Sequence, residues 1–225
     1  MFTFEDYLRR VYDGADIIRF LDKIAETYDV LIFSGVIRDY FMGVDCCPRD
    51  LDVVVMMEGN EDMGKFLMPS LCHRNLLGGY KICVNNVVVD IWPLSQTWGI
   101  RKKRLRPTPE NLVKTSFFNF SAVAYLYREE KFVFSKDFFR FIETRELDVV
   151  MEENPLPDLC IANSIYYSKK YGFRIAPRLA EWIVGHYDSD TDYEKIQIEH
   201  LGEVCHSNDE IKVFVDSELN LINYV

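Results

Sequence analysis

The sequence has no apolar run long enough to cross a membrane. Its longest uncharged stretches, such as Val53 to Met57 and Val87 to Val89, fall far short of the roughly 18 residues a spanning helix needs. The start, Met1-Phe2-Thr3-Phe4-Glu5-Asp6, lacks the basic opening and apolar core of a secretory signal, so a cytoplasmic protein with no membrane partner is expected. Cys-x-x-Cys is absent. The six cysteines, Cys46, Cys47, Cys72, Cys83, Cys160 and Cys205, therefore read as reduced thiols in the core. Cys46-Cys47 with Cys72-His73 lacks the spacing of a zinc site. His73, His186, His200 and His206 form no His-x-x-x-His pair and read as structural. Repeats and low-complexity tracts are missing too. So is an excess of positive charge: 26 Lys+Arg against 36 Asp+Glu give −10, which argues against strong nonspecific binding to nucleic acid.

What remains is an ordinary folded composition, 48% hydrophobic and 28% charged over 225 residues, enough chain for one large domain and a sizeable core. Helical spacing of apolar residues predicts helices over Phe4 to Val11 and Asp16 to Tyr28, the second with Asp16 as N-cap. Val30 to Phe33 reads as a buried strand running through Ser34-Gly35 into a helix, Val36 to Met42, stopped by Gly43. A strand over Leu51 to Met57, a short helix over Glu61 to Leu71, and a hairpin of Tyr80 to Val84 with Val87 to Trp92 about Asn85-Asn86 follow. A second hairpin joins Ala122–Tyr127 to Lys131–Phe134, and helices are expected from about Pro155 to Tyr171 and Ala176 to Tyr187. From Asp188 onward ten acids face two bases, so most of the net charge sits in the tail.

Two short stretches carry the chemistry. In Phe33-Ser34-Gly35-Val36-Ile37-Arg38-Asp39 a strand ends in a small-residue turn that opens a helix, aiming backbone N–H groups and the helix dipole at one point where a phosphate fits. In Pro48-Arg49-Asp50-Leu51-Asp52-Val53 two carboxylates stand at i and i+2 of a strand, so they leave the same face. Like charges on an apolar strand repel, and a divalent cation held by hard oxygens relieves them. Asp90, breaking the run Val87-Val88-Val89-Asp90-Ile91-Trp92, adds a third acid. Three carboxylates at strand ends beside a phosphate-binding turn describe a two-metal phosphoryl-transfer site. The ordinary alternative is an Asp-x-Asp that faces solvent or caps a turn.

At these residues the sequence resembles the DNA polymerase β-like nucleotidyltransferase superfamily, in particular the head domain of class II tRNA nucleotidyltransferases and bacterial poly(A) polymerases. The family's Gly-Gly-x-Val-Arg-Asp-x-Leu-x-Gly is matched by Ser34 to Gly43, and its Asp-x-Asp by Asp50-Leu51-Asp52. Phe118 to Ala124 sits where the family has Phe-Thr-x-Asn-Ala-x-Ala. Glu153-Asn154-Pro155-Leu156 and the helix after it resemble the family's neck, so the likeness spans roughly residues 30 to 187. It implies an α+β fold: a mixed β-sheet flanked by helices as the head, residues 1–150, then a short helical neck and acidic C-terminal region, residues 151–225. It also implies transfer of a nucleoside monophosphate from an NTP to a hydroxyl, with an RNA 3′ end as the leading acceptor. Asp50, Asp52 and Asp90 would hold two Mg²⁺ ions, with Mn²⁺ as a substitute, and Asp90 would assist deprotonation of the hydroxyl. Ser34, Gly35, Arg38 and Arg49 would bind the nucleotide. For Arg38 an ion pair with Asp39 that braces the helix competes equally with a triphosphate contact.

The neck departs from the family. Asn154 and Pro157 replace the Asp and Arg that contact the base, Cys160 and Asn163 replace later arginines, and Ser116-Phe117 replaces an Arg-Asp. The expectation is therefore a looser or different nucleotide choice, or an acceptor other than the CCA end, and 225 residues leave no room for the family's tRNA-gripping body and tail domains. The alternatives are the same chemistry on a small-molecule or protein hydroxyl, and a degenerate head acting as a binding module. Arg101, Lys102, Lys103, Arg104 and Arg106 form a local basic run expected to be a solvated loop or a contact for RNA or phosphate. The acidic tail is a candidate surface for a protein partner. The aromatics Phe117, Phe118, Phe120, Tyr125 and Tyr127, and Phe132, Phe134, Phe138, Phe139 and Phe141, offer faces for base stacking, with burial in the core the expected use of most of them.

Overall fold

The computed structural model of the chain describes residues 3–12, 15–57, 73–74 and 78–223; the helix expected over Glu61 to Leu71, and Cys72, lie outside these. Two packed units result, Met1–Ser116 with Ser121–Phe138, and Phe117–Phe120 with Phe139–Val225.

In the first unit, α1 (Phe4–Val11) starts in a capping box: Thr3 Oγ1 accepts from the Asp6 N–H while the Asp6 carboxylate accepts from the Thr3 N–H. In α2 (Asp16–Ala25) the cap position falls to Ala15 rather than Asp16, because Asp16 is already helical and pairs with Arg19 one turn on. The chain then runs through β1 (Asp29–Phe33), α3 (Gly35–Met42), β2 (Asp50–Met56), β3 (His73–Arg74), β4 (Tyr80–Val84) and β5 (Val87–Pro93). Gly43 ends α3 at φ 68, the left-handed conformation that glycine adopts without steric cost. Asn85 and Asn86, at φ 45 and 69, make the two-residue turn between β4 and β5, whose twist matches that of the strands. After α4 (Trp98–Lys103) and α5 (Pro109–Leu112), β6 (Val123–Leu126) and β7 (Lys131–Phe134) form the second hairpin; α6 (Lys136–Thr144) follows, belonging to this unit up to Phe138 and to the second from Phe139.

These strands build one mixed sheet in the order β3-β4-β5-β2-β1-β6-β7, antiparallel throughout except for the parallel pair β2/β5. Alternate residues Val30, Ile32, Leu51, Val53, Val55, Val89 and Ile91 are buried, α2 packs on β1 and β4, and α3 packs on β1 and β2. Leu31, Val54 and Ala124 belong to the opposite alternation and form a second core with Leu94, Leu112 and Val113, against which Phe33 and Trp92 rest. β1, β2 and β5 are thus apolar on both sides over much of their length, which is why the sequence shows continuous runs there rather than clean alternation.

In the second unit the short parallel pair β8 (Glu146–Leu147) and β9 (Arg174–Ile175) brackets α7 (Pro157–Tyr171). The segment Phe117–Phe120 is held by Asn119, 2% exposed, whose Oδ1 accepts from the Phe120 and Asp148 N–H groups while Nδ2 donates to the Glu146 carbonyl. Phe118 and Phe120 pack on Tyr167, and Phe120 and Phe173 on Phe141, so these aromatics are core here. After α8 (Pro177–His186) the acid-rich tail is itself helical, as α9 (Tyr193–Leu201) and α10 (Asn208–Asn223). Gln197, 1% exposed, fastens the turn between them by donating to the Tyr193 and His206 carbonyls and accepting from the Cys205 and His206 N–H groups.

Candidate active site

The turn from β1 into α3 is the first component. Ser34 adopts φ 65 and ψ −116, and its side chain makes no capping hydrogen bond to the helix it precedes. Its N–H donates to the Val123 carbonyl at 3.2 Å, and its own carbonyl accepts from Ile37 and Arg38, so the turn is locked between β6 and the helix. A residue with a Cβ is strained in that conformation, and strain persists where the surroundings over-determine the backbone. Ser34→Gly is therefore expected to stabilise the protein by about 1 kcal/mol in chemical denaturation, while Ser34→Ala, which keeps the strain, leaves stability unchanged. At Gly35 an added Cβ would meet the Arg38 Nη2 atom at 3.9 Å, an ordinary contact, so a small side chain would fit there without a clash.

The acids form the second component, and sheet register unites them. Asp50 and Asp52 share a face of β2, and the parallel register sets Asp52 directly opposite Asp90 on β5. Asp52 also stands opposite Phe33, the last residue of β1, so the acids lie on strands adjoining the Ser34 turn. Their carboxylates are drawn to nearby cations: Arg49 donates to Asp50 Oδ2 through Nε at 3.0 Å and Nη2 at 2.8 Å, and Lys81 Nζ lies 3.3 Å from Asp90 Oδ2. In these rotamers no set of three or more His, Cys, Asp or Glu side chains is gathered in metal-holding geometry among the described residues.

Burial, and then the charges of Asp50 and Asp90, push the Asp52 carboxyl well above its ordinary value; Arg49 and Lys81 oppose this without cancelling it. Carboxylate oxygens are the hard donors that divalent cations take, and Asp50, Asp52 and Asp90 place three such groups on one face of the sheet. Because the folded protein holds the Asp52 proton more tightly than the unfolded chain, this carboxyl's stabilising contribution is full below pH 3.8 and is lost as pH rises toward the raised value. In metal-free protein Asp52→Asn is expected to raise the neutral-pH Tm by about 3 °C and to flatten that acid-side slope, as differential scanning calorimetry would show.

Arg38, placed by sequence on either of two partners, is 7% exposed and turned to Asp39, with Nε to Oδ1 and Nη2 to Oδ1 both 2.8 Å. The basic run is not a loop at its start. Arg101–Lys103 form the last turn of α4, where cations suit the helix dipole, Arg104 closes it in the left-handed conformation at φ 51, and the cations of all five residues stand exposed. Sequence reasoning missed Tyr12, 5% exposed, whose hydroxyl donates to the Asp50 carbonyl at 3.0 Å; burial and the charges of Asp52 and Asp50 hold it protonated. It missed Lys81 as well. Both depend on pairings distant in sequence, and neither carries a local signal. Asn154 and Pro157 serve the start of α7: Asn154 Oδ1 accepts from the Leu156 N–H at 2.9 Å, and Pro157 opens the helix.

The mixed sheet with its flanking helices is a fold shared with solved CCA-adding enzymes and tRNA nucleotidyltransferases. A CCA-adding enzyme solved with CTP superposes with TM-score 0.66 at 14% identity, over 94% of this chain and 53% of that one. The Thermotoga maritima CCA-adding enzyme complexed with tRNA gives 0.59 at 15%, over 84% and 45%. A tRNA nucleotidyltransferase complexed with a primer tRNA and an incoming ATP analogue gives 0.53 at 16%, over 74% and 48%. The likeness is one of fold, and the chain spans about half the length of these structures. No protein-family model matches the sequence, and no curated protein does.

Proposed function

We propose that the protein is a divalent-metal-dependent nucleotidyltransferase that moves a nucleoside monophosphate from an NTP to a hydroxyl at an RNA 3′ end. The observation that carries this reading is the row in which Asp52 and Asp90 face each other across β2 and β5, with Asp50 two residues away and the Ser34 turn ending the next strand. The fold shared with enzymes solved in complex with CTP, an ATP analogue and tRNA supports it.

In this mechanism the Ser34 hydroxyl and the first N–H groups of α3 hold the β- and γ-phosphates, where the helix dipole favours negative charge. Asp50, Asp52 and Asp90 would hold Mg²⁺ or Mn²⁺, two ions in the full site. Bound there, such ions lower the pKa of the acceptor hydroxyl and neutralise charge on the transferring phosphate. Asp90 accepts the hydroxyl proton, the hydroxyl oxygen bonds to the α-phosphorus, and the bond to the bridging oxygen breaks to release pyrophosphate. Tyr12 keeps Asp50 in place through its backbone, Arg49 moves from Asp50 to the triphosphate, and the exposed Arg101, Lys102, Lys103, Arg104 and Arg106 attract the acceptor backbone. Equilibrium dialysis with labelled NTP tests the nucleotide site: binding should require Mg²⁺ or Mn²⁺ and disappear in Asp50→Ala/Asp52→Ala, and metal-independent binding of equal strength would contradict the reading.

A further inference from the structure

The carboxylate row extends one strand further than the acids themselves. Lys81, in the middle of β4, stands opposite Asp90 in the antiparallel register, so Lys81, Asp90 and Asp52 form a continuous line across β4, β5 and β2 on one face. Its Nζ reaches Asp90 Oδ2 at 3.3 Å, and its charge is felt at Asp52. Nothing else in β4 calls for a cation at this point: Tyr80 and Ile82 carry the buried alternation, and Lys81 and Cys83 point the other way and are exposed. The pair is asymmetric. The lysine side chain is 51% exposed and the aspartate only 15%, so the ammonium reaches in from solvent to an acid that is largely enclosed. Arg49 is paired with Asp50 in the same way, so two cations stand against three acids and Lys81 is the one seated on Asp90.

We infer that Lys81 is a built-in counter-cation of this site, seated on Asp90 in the metal-free protein and released when a divalent ion enters. The inference rests on the reading of Asp50, Asp52 and Asp90 as the metal-holding group. A divalent ion held by Asp90 would compete with the ammonium for that carboxylate, so metal entry would be an exchange rather than a simple addition. The lysine stem is long and flexible, and a compact ammonium is readily rehydrated, so the released head swings to water at little cost. Lys81 is in these terms a positioning residue: it holds the acids together while no metal is bound and sets how strongly the site takes one up.

Mn²⁺ binding to the full chain, followed by the electron paramagnetic resonance of free Mn²⁺, tests this in the absence of any substrate. Lys81→Met and Lys81→Gln should each tighten apparent Mn²⁺ binding about fivefold, the size of one partly exposed ion pair. Both should lower the Tm of the metal-free protein and enlarge the Tm gain on adding Mn²⁺, whereas Lys81→Arg should behave as the wild type. Mn²⁺ binding that depends on Asp50 and Asp52 but is unchanged in Lys81→Met and Lys81→Gln overturns the exchange alone. Mn²⁺ binding that Asp50→Ala/Asp52→Ala leaves intact overturns the metal site, and the exchange with it.

Discussion

Replacing Asp50 and Asp52 together with alanine is expected to reduce nucleotidyl transfer by at least about a thousandfold, or ~4 kcal/mol of transition-state stabilisation, without unfolding the protein. Two features of the site make the loss specific. Asp50 and Asp52 leave one face of β2, and Asp52 is the register partner of Asp90, so the double substitution leaves a single acid in the row. The acids are also costly to the metal-free fold, since burial and the neighbouring carboxylates push Asp52 well above its ordinary value. Their removal relieves that repulsion, so the thermal midpoint of the variant in EDTA should equal or exceed that of the wild type. A drop in activity accompanied by a large drop in Tm would instead assign the two acids a structural role.

Arg38→Met is the second large effect, and it falls on stability. Arg38 and Asp39 are both nearly enclosed and are bonded to each other at 2.8 Å. Removing the guanidinium strands a buried carboxylate, for which the usual cost is about 3–5 kcal/mol. In a chain of this length that corresponds to a Tm lower by about 10 °C. Arg38→Met/Asp39→Leu should recover most of the loss, because a buried pair replaced as a whole by apolar groups leaves no charge unmatched. If Arg38 served the triphosphate alone, Tm without nucleotide would be unchanged and only the KM for NTP would rise. The structural pairing makes stability the primary readout and leaves a KM effect to be sought in Arg38→Lys.

Much of the head was legible in the sequence because its signals are local. Apolar runs marked β1, β2 and β5, Asn85-Asn86 marked the β4/β5 turn, Gly43 marked the end of α3, and α1 was legible to the residue. The helix α6 was not: Phe138 and Phe141 stand at the i, i+3 spacing of one helix face, but the segment reads in sequence only as a cluster of aromatics. Phe138 and Phe141 are buried and Phe139 is 53% exposed. The tail helices α9 and α10 were hidden by their charge, because the ten acids from Asp188 onward marked the segment only as a candidate partner surface; what orders the turn between them is one buried amide, Gln197, anchored on backbone groups 4 to 9 residues away. In the candidate site, Asp-x-Asp and the Ser-Gly turn were visible as motifs. Their meeting depends on β2 lying parallel to β5 and antiparallel to β1, while the β4/β5 pairing brings Lys81 to Asp90 and the end of α1 brings Tyr12 to Asp50. Register is set by the packing of the whole sheet, so no window of sequence contains it.

Nucleotidyl transfer by the acid row is tested most directly by incubating the purified chain with each α-labelled NTP, RNA and Mg²⁺ or Mn²⁺, beside Asp50→Ala/Asp52→Ala. Label should enter RNA with at least one NTP, only with divalent cation and only with the acids intact. Label in a protein or small molecule would move the acceptor, and no transfer under any condition would overturn the proposed activity and leave a binding module on this fold.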